Sequence, residues 1–566
     1  MKRRSLGRLA LAALPGAASA KETARMDALA EDFIEQLWQI DTEAAVAVGR
    51  FDFAARLTLP SAEQRERRRR LLKAWLPRFE SLAPATLTPL QRMDREILLA
   101  QIRSDLWQLD ELREWAWNPA AHNPASALDK ILHTDWAPMH ERVNALQQRA
   151  RQLPAYYQAA RQSLADVTRE HTALALQQLP GVLSVLEEVE SAAQQVGQGA
   201  ITQPIWNAAR AAVSGYEAHL KRLLPTARRS FRLGAALYET RFRHDIQSAR
   251  SARETYELAL QRREAVLASM AREADVLWPR LFASEPPPQD RFARIGRVID
   301  QLSTRHVARE RFVDEIRAQI PQLEAWVRDK DLLTLDPSKP LVVRETPEYG
   351  RGVAGAGIEA PGPYRPQDAT YYNVTPLDDA LTPEQAESAL REYNHWILQI
   401  LNIHEAIPGH YTQLIYANRA TSRVKALFGN GAMVEGWAVY AERMMVESGY
   451  GDSPEMRLMV GKWHLRSVTN TVLDYSVHVL GMKQPEALDL LQRQAFQTEQ
   501  EAREKWRRVQ LTAVQLTSYF SGYSELIALR EQLQARPGFA LKAFHEQFLS
   551  YGSAPVRLIA AEMLGR

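Results

Sequence analysis

The chain contains no cysteine among its 566 residues. That excludes disulfides, thiolate metal ligands, a cysteine nucleophile and a lipobox for acylation. Charge of one sign is also scarce. The 71 Lys and Arg residues exceed the 68 Asp and Glu residues by a formal +3, too little for this length to point to nucleic acid. No apolar run approaches the roughly 18 residues that a membrane span needs, so none is expected. A G-x-S-x-G elbow is missing, which disfavours serine hydrolase chemistry. There is no fixed-period repeat. Apolar content of 46% and charged content of 25% are the values of a globular protein.

What is present is His404-Glu405-Ala406-Ile407-Pro408-Gly409-His410, followed by Glu435-Gly436-Trp437. Two imidazoles and a later carboxylate nearly complete a catalytic zinc site: three N/O ligands, an open position, and a Glu beside the first His. In H-E-x-x-H motifs the histidines sit at i and i+4, one helical turn apart. Here the second is at i+6. On an unbroken helix His410 would point about 120° away from His404 and lie about 9 Å along the axis. Two nitrogens that must each approach one zinc to about 2.0–2.1 Å cannot be placed that way.

Pro408 and Gly409 resolve the conflict. Proline interrupts the helical hydrogen-bond ladder. Glycine tolerates the backbone angles of a bulge, including φ > 0, where a β-branched residue would be an outlier. Looping out two residues returns His410 to a position one turn from His404. The sequence therefore predicts a bulged zinc helix, with His404, His410 and Glu435 holding Zn2+ and Glu405 acting as general base. Glu435 is expected in the first turn of a second helix that begins after Gly429-Asn430-Gly431 and folds back on the first. Glu442 shares its face and can orient a ligand. His-Glu pairs also arise by chance, as at His140-Glu141 and His545-Glu546, but neither has a correctly spaced partner.

HEAIPGHYTQ with EGWAVYAER resembles the signature of the bacterial family designated DUF885, and is similar to zinc peptidases of the gluzincin type. DYSVHVLGMKQPEAL, QLTSYFSGYSEL and FHEQFLSYGSAPV continue the resemblance over roughly the C-terminal two-fifths. The resemblance implies a mostly α, large multi-helix, cleft-type metallopeptidase architecture.

Taken in order, residues 1–20 read as a signal peptide. Lys2-Arg3-Arg4 and Arg8 precede a short apolar core, and Ala18-Ser19-Ala20 precedes the expected cleavage after Ala20. The mature protein is accordingly expected in the periplasm or secreted. Residues 21–335 form an N-terminal helical region, with apolar residues at three- and four-residue spacing. Residues 336–566 carry the metal site and are expected to form one structural unit with that region.

A small β element is expected near residues 340–375, from Leu341-Val342-Val343-Arg344 and Ala369-Thr370-Tyr371-Tyr372-Asn373-Val374. It is the candidate for an edge strand that pairs with extended substrate. Gly350-x-Gly352-x-x-Gly355 matches a dinucleotide fingerprint in form only, because Pro361-Gly362-Pro363 prevents a following helix. Helices are expected to resume with Thr382 as N-cap and Pro383 at N1.

A zinc peptidase also needs a donor aimed at the tetrahedral oxyanion. Tyr519 and His478 (one turn from Asp474) rank first, then Tyr523, then His545. The combination predicts hydrolysis of a peptide by metal-activated water, with Glu405 moving the proton. The alternatives are a metal hydrolase of a non-peptide amide or ester, and a non-catalytic periplasmic binding protein with a degenerate metal motif.

Overall fold

Apolar residues at helical spacing fold the chain into helix after helix. The computed structural model describes residues 17–346, 355–378, 380–419 and 422–565, without the side chains of 17–23 and 200–201. Residues 1–16 of the expected signal peptide lie outside that range, and the first described helix, Ala17–Ile40, passes through the expected cleavage point. One hydrophobic core runs from Met26 to Met563 and joins the N-terminal helices to those that carry the candidate site. Among the described residues no helix is long and apolar enough to cross a membrane.

Nine helices frame the site. They are α1 (Ala252–Leu281), α2 (Phe312–Asp329), α3 (His395–Glu405), α4 (His410–Asn418) and α5 (Gly431–Glu447), then α6 (Pro454–His478), α7 (Glu499–Leu511), α8 (Ser518–Gln534) and α9 (Leu541–Ser550). Local sequence sets where several begin. The Asn394 side chain accepts from Trp396 N and Ile397 N to start α3, and Asn430 accepts from Met433 N at 2.9 Å to start α5. The helix that precedes α3, Pro383–Glu392, opens as expected: Thr382 and Gln385 form a reciprocal capping box, with Pro383 at the first position.

The β element has three strands, β1 (Leu341–Glu345), β2 (Ala356–Glu359) and β3 (Thr370–Val374), in the order β1-β3-β2. β1 runs parallel to β3, pairing Leu341 with Thr370, and β2 runs antiparallel to it, pairing Ala356 with Val374. The expected runs correspond to β1 and β3. β2 was not expected, because it lies in the Gly/Pro-rich segment and is defined by pairing to β3 rather than by its own pattern. Gly350 and Gly352 of the fingerprint lie outside the described residues, and Gly355 leads directly into β2. The sheet is pinned to α3 by a buried chain: Tyr372 Oη donates to Asn402 Oδ1 at 2.9 Å, and Asn402 Nδ2 donates to Gln319 Oε1 at 2.7 Å.

Candidate metal centre

His404 and His410 belong to two helices, not to one bulged helix. α3 ends at Glu405, and α4 starts at His410 itself. The break nevertheless keeps the two in register. Ala406 N still bonds four residues back to Asn402 O at 2.9 Å, and Ile407 N reaches the same oxygen at 3.2 Å. Thr412 N then bonds to Ala406 O at 3.4 Å. A bond six residues back is what a helical i to i−4 bond becomes when two residues are extruded. The Ile407–Pro408 peptide is cis. Pro408 O accepts from Trp437 Nε1 at 2.8 Å, which ties the break to α5.

Gly409 is required for a reason other than the one expected. Its φ is −74°, so the positive φ considered from sequence is not there. The requirement is space: a Cβ at Gly409 would fall 1.8 Å from His404 O and 2.3 Å from Ile403 O. The chain doubles back against the end of α3 so closely that only glycine fits.

The three sequence-predicted ligands converge. Glu435 Oε2 lies 3.7 Å from His404 Nε2 and 3.6 Å from His410 Nε2, and the three ligand atoms lie within 4.8 Å of one another. Bonds of about 2.0–2.2 Å in a tetrahedron separate ligand atoms by about 3.4 Å, close to the two distances from Glu435 to the imidazoles. The imidazoles stand nearly perpendicular, with ring centres 4.8 Å apart. Glu435 is the fifth residue of α5, just past the first turn in which it was expected.

Burial and charge say the same. Glu435 Oε2 and His410 Nδ1 are buried without a hydrogen-bond partner. Burial works to raise the Glu435 pKa, yet the two imidazoles hold it well below the usual carboxylate range. Burial likewise opposes a charge on His404, but Glu435 and Glu442 on either side raise its pKa well above the ordinary value. A carboxylate kept ionised by two imidazoles, and an imidazole set between two carboxylates, make this pocket favourable to positive charge.

Behind the ligands, Glu442 Oε1 accepts from His404 Nδ1 at 2.6 Å and from Trp463 Nε1 at 3.0 Å. That fixes the tautomer with the Nε2 lone pair facing the ligand cluster. Glu405, half-buried beside His404, has no hydrogen bond or ion pair to any described residue. Its carboxylate is close enough to Tyr372 to add to burial in raising that phenol's pKa.

The family of bacterial proteins of unknown function designated DUF885 matches residues 43–563. The chain belongs to the DUF885 family. The match extends well upstream of the motifs that first suggested it. A solved structure from Shewanella oneidensis, described as a putative lipoprotein of unknown function, is 44% identical, with a TM-score of 0.85 over 95% of this chain and 99% of its own. A protein from Colwellia psychrerythraea described as a lipoprotein in the same way is 16% identical, with a TM-score of 0.79 over 96% of this chain and 99% of its own. The latter shares the fold. No curated protein matches this DUF885 chain.

Of the four oxyanion candidates in this DUF885 protein, only Tyr519 stands beside the ligands. Its ring stacks on His404 with centroids 6.5 Å apart, and burial followed by the Glu435 charge raises its pKa. Two glycines bring it there. A Cβ at Gly436 would lie 2.4 Å from Gly522 C, and one at Gly522 would lie 1.7 Å from Ala432 O, so α5 and α8 cross backbone to backbone.

Tyr523 points elsewhere: its hydroxyl accepts from Arg443 Nη1 at 2.8 Å and its ring packs on His464. His478 is misplaced for the role. It lies 15 residues beyond Trp463 on α6, about 22 Å along the helix. There its Nε2 faces the carbonyls of Val509 and Thr512 at 2.8 and 2.9 Å. His545 is fully buried between Tyr440 Oη and Leu332 O. Trp463 was not anticipated, because its contact with Glu442 spans two helices and leaves no periodic trace.

A cavity of about 390 Å³ lies behind α4, lined there by Tyr411, Thr412, Ile415 and Tyr416. These residues point on average about 170° around the helix from His410, so the cavity does not open onto the ligands.

Proposed function

We propose that this DUF885 protein is a zinc-dependent hydrolase that cleaves peptide bonds. The observation that carries the reading is the convergence of His404, His410 and Glu435 on one ion-sized space, with Glu442 behind His404 and an uncommitted carboxylate, Glu405, beside it. A zinc ion held by the three ligands supplies Lewis acidity to a carbonyl and lowers the pKa of water towards about 7.

The chain's own groups do the rest. Glu405 takes the proton of the attacking water and later delivers it to the leaving amine, a role open to a carboxylate with no competing partner. Tyr519 keeps its proton in this buried setting and offers the hydroxyl to the developing oxyanion. Glu442 holds the His404 ring so that Nε2 stays available. Since β3 is the central strand, β1 and β2 are the edges open to backbone pairing with an extended peptide.

The location follows a parallel line. Both solved relatives are described as putative lipoproteins, whereas this sequence offers no cysteine to acylate. The basic, then apolar, N-terminus ending at Ala18-Ser19-Ala20 supports export through a cleaved signal peptide. N-terminal sequencing of exported protein beginning at Lys21 tests it.

The test of the activity is direct. Purified protein is stripped with a chelator, reloaded with zinc, and given a peptide mixture resolved by mass spectrometry. Cleavage that follows zinc content and disappears in Glu405→Gln supports the reading. Cleavage that ignores the metal, or none with zinc bound, refutes it.

A further inference from the structure

Beside Tyr519, α6 and α7 bury a cluster of charges that the hydrolytic reading does not use. Lys462 pairs with Glu392 at 2.9 Å, and Arg466 pairs with Glu501 at 2.8 Å. Lys505 is only 4% exposed, yet it has no hydrogen bond or ion pair to any described residue. Nη1 of Arg466 and both carboxylate oxygens of Glu501 are also buried without a hydrogen-bond partner. Arg508, one turn beyond Lys505, places Nη2 3.4 Å from Tyr519 Oη and 2.7 Å from Gln515 Oε1, and its side chain is exposed.

Two separate routes link this cluster to the metal centre. One runs from Arg508 to the Tyr519 hydroxyl and through the Tyr519 ring to His404. The other runs from Arg466, 4.8 Å over the Trp463 ring, through the Trp463–Glu442 hydrogen bond to the back of His404. A third contact brings in the sheet. The Tyr393 hydroxyl, whose proton the cluster's charges influence, abuts Gly355 at the start of β2.

The anions present do not balance the cations. Lys462, Arg466, Lys505 and Arg508 face Glu392 and Glu501, with Glu504 on the exposed side of α7. Glu392 is pushed up to about 7 by burial and then by the Glu501 charge, which weakens it as a counter-ion. Lys505 is pushed down to about 7 by burial and then by Arg466. A lysine only 4% exposed and a buried guanidinium nitrogen, both without a partner, are costly, and an arriving carboxylate relieves both.

The geometry points to a carboxylate subsite: we propose that Lys505, Arg466 and Arg508 receive the C-terminal carboxylate of a peptide whose scissile bond lies at the metal centre. The enzyme then removes residues from free C-terminal ends rather than cutting within chains. This rests on the peptidase reading above but is tested separately from it. Glu405→Gln protein, zinc-loaded and unable to turn over, is titrated calorimetrically with three probes. They are acetyl-Ala-Ala-Ala with a free C-terminus, its C-terminal amide, and the amide of acetyl-Ala-Ala-Glu.

The free acid is expected to bind at least about tenfold tighter than the Ala amide, the size of one charge-assisted hydrogen bond. Lys505→Met and Arg508→Gln should each reduce that ratio towards one, and Lys505→Arg should restore most of it. Lys505→Arg also keeps the test open if the methionine variant fails to fold. Equal binding of acid and Ala amide overturns the subsite, as does a ratio that survives both substitutions. Glu amide binding as tightly as the free acid overturns the C-terminal assignment in favour of an acidic side chain. Wild-type protein that cleaves nothing, while the acid preference holds, removes the peptidase reading and leaves the subsite. Cleavage of amidated and internal bonds without preference does the reverse.

Discussion

Gly409→Ala adds one methyl group at the point where the two histidines are brought into register. Its carbon would sit 1.8 Å from His404 O and 2.3 Å from Ile403 O, where contacts under 3.0 Å essentially never occur. Both oxygens belong to the backbone of α3 and cannot swing aside. The segment leading into His410 must therefore retreat from α3 by at least 1.2 Å, the difference between 3.0 and 1.8 Å. Metal sites tolerate ligand displacements of about 0.2 Å, so His410 is lost as a ligand in its present position. Losing a partner that merely orients a ligand costs about 10–100-fold in affinity; displacing a ligand should exceed that.

Competition against a chelator of known zinc affinity measures the change, with far-UV circular dichroism to show that the helices persist. Gly431→Ala is the control, since a Cβ there meets nothing within 4 Å. It should bind zinc like the wild type. Wild-type affinity in Gly409→Ala, with the dichroism unchanged, would show that the close approach at Gly409 does not align the ligands.

Glu405→Gln should retain full zinc stoichiometry and lose nearly all hydrolysis; substantial residual turnover would remove Glu405 from proton transfer. Glu442→Gln should weaken zinc binding about 10–100-fold by chelator competition, because it removes the charge that orients His404; unchanged affinity would reduce Glu442 to a packing residue. Tyr519→Phe should lower kcat about 10²- to 10³-fold with little effect on KM, whereas His478→Gln should leave kcat near the wild-type value; the opposite ranking would reassign the oxyanion donor. Acid should destabilise the fold before ordinary carboxylates titrate. Burial depresses His122, His464 and His545 to about 4, 3 and 4, so each stays neutral in the fold but gains a proton on unfolding below about 6.5. Their contribution is complete above that value and is lost as pH falls towards 4. Tm measured from pH 7.5 to 5 should fall across the upper part of that window, and a flat profile would contradict it.

The convergence of His404, His410 and Glu435 was legible because its constraints are local. His404, Glu405, His410 and Glu435 lie on short segments whose helical pattern and turn residues fix their faces, and Glu442 follows from the periodicity of α5. Gly409 was legible as a necessity but not in its cause: positive φ and close approach leave the same residue in the sequence, and only packing separates them. Tyr519 and His478, ranked together from the sequence, could not be separated by spacing. Which of them faces His404 depends on the crossing of α5 and α8 at Gly436 and Gly522, and on where along α6 the site falls. β2 escaped notice because its strand character comes from pairing with β3. The Lys505–Arg466 cluster joins residues of α6 and α7 that no periodic pattern connects.

Diffraction from crystals of freshly purified protein, recorded on both sides of the zinc absorption edge, locates the metal and identifies it in one experiment. The predicted result is one anomalous peak about 2.0–2.2 Å from His404 Nε2, His410 Nε2 and a carboxylate oxygen of Glu435. No peak there, or a peak whose protein neighbours do not include all three residues, would contradict the assignment of this site as a zinc centre.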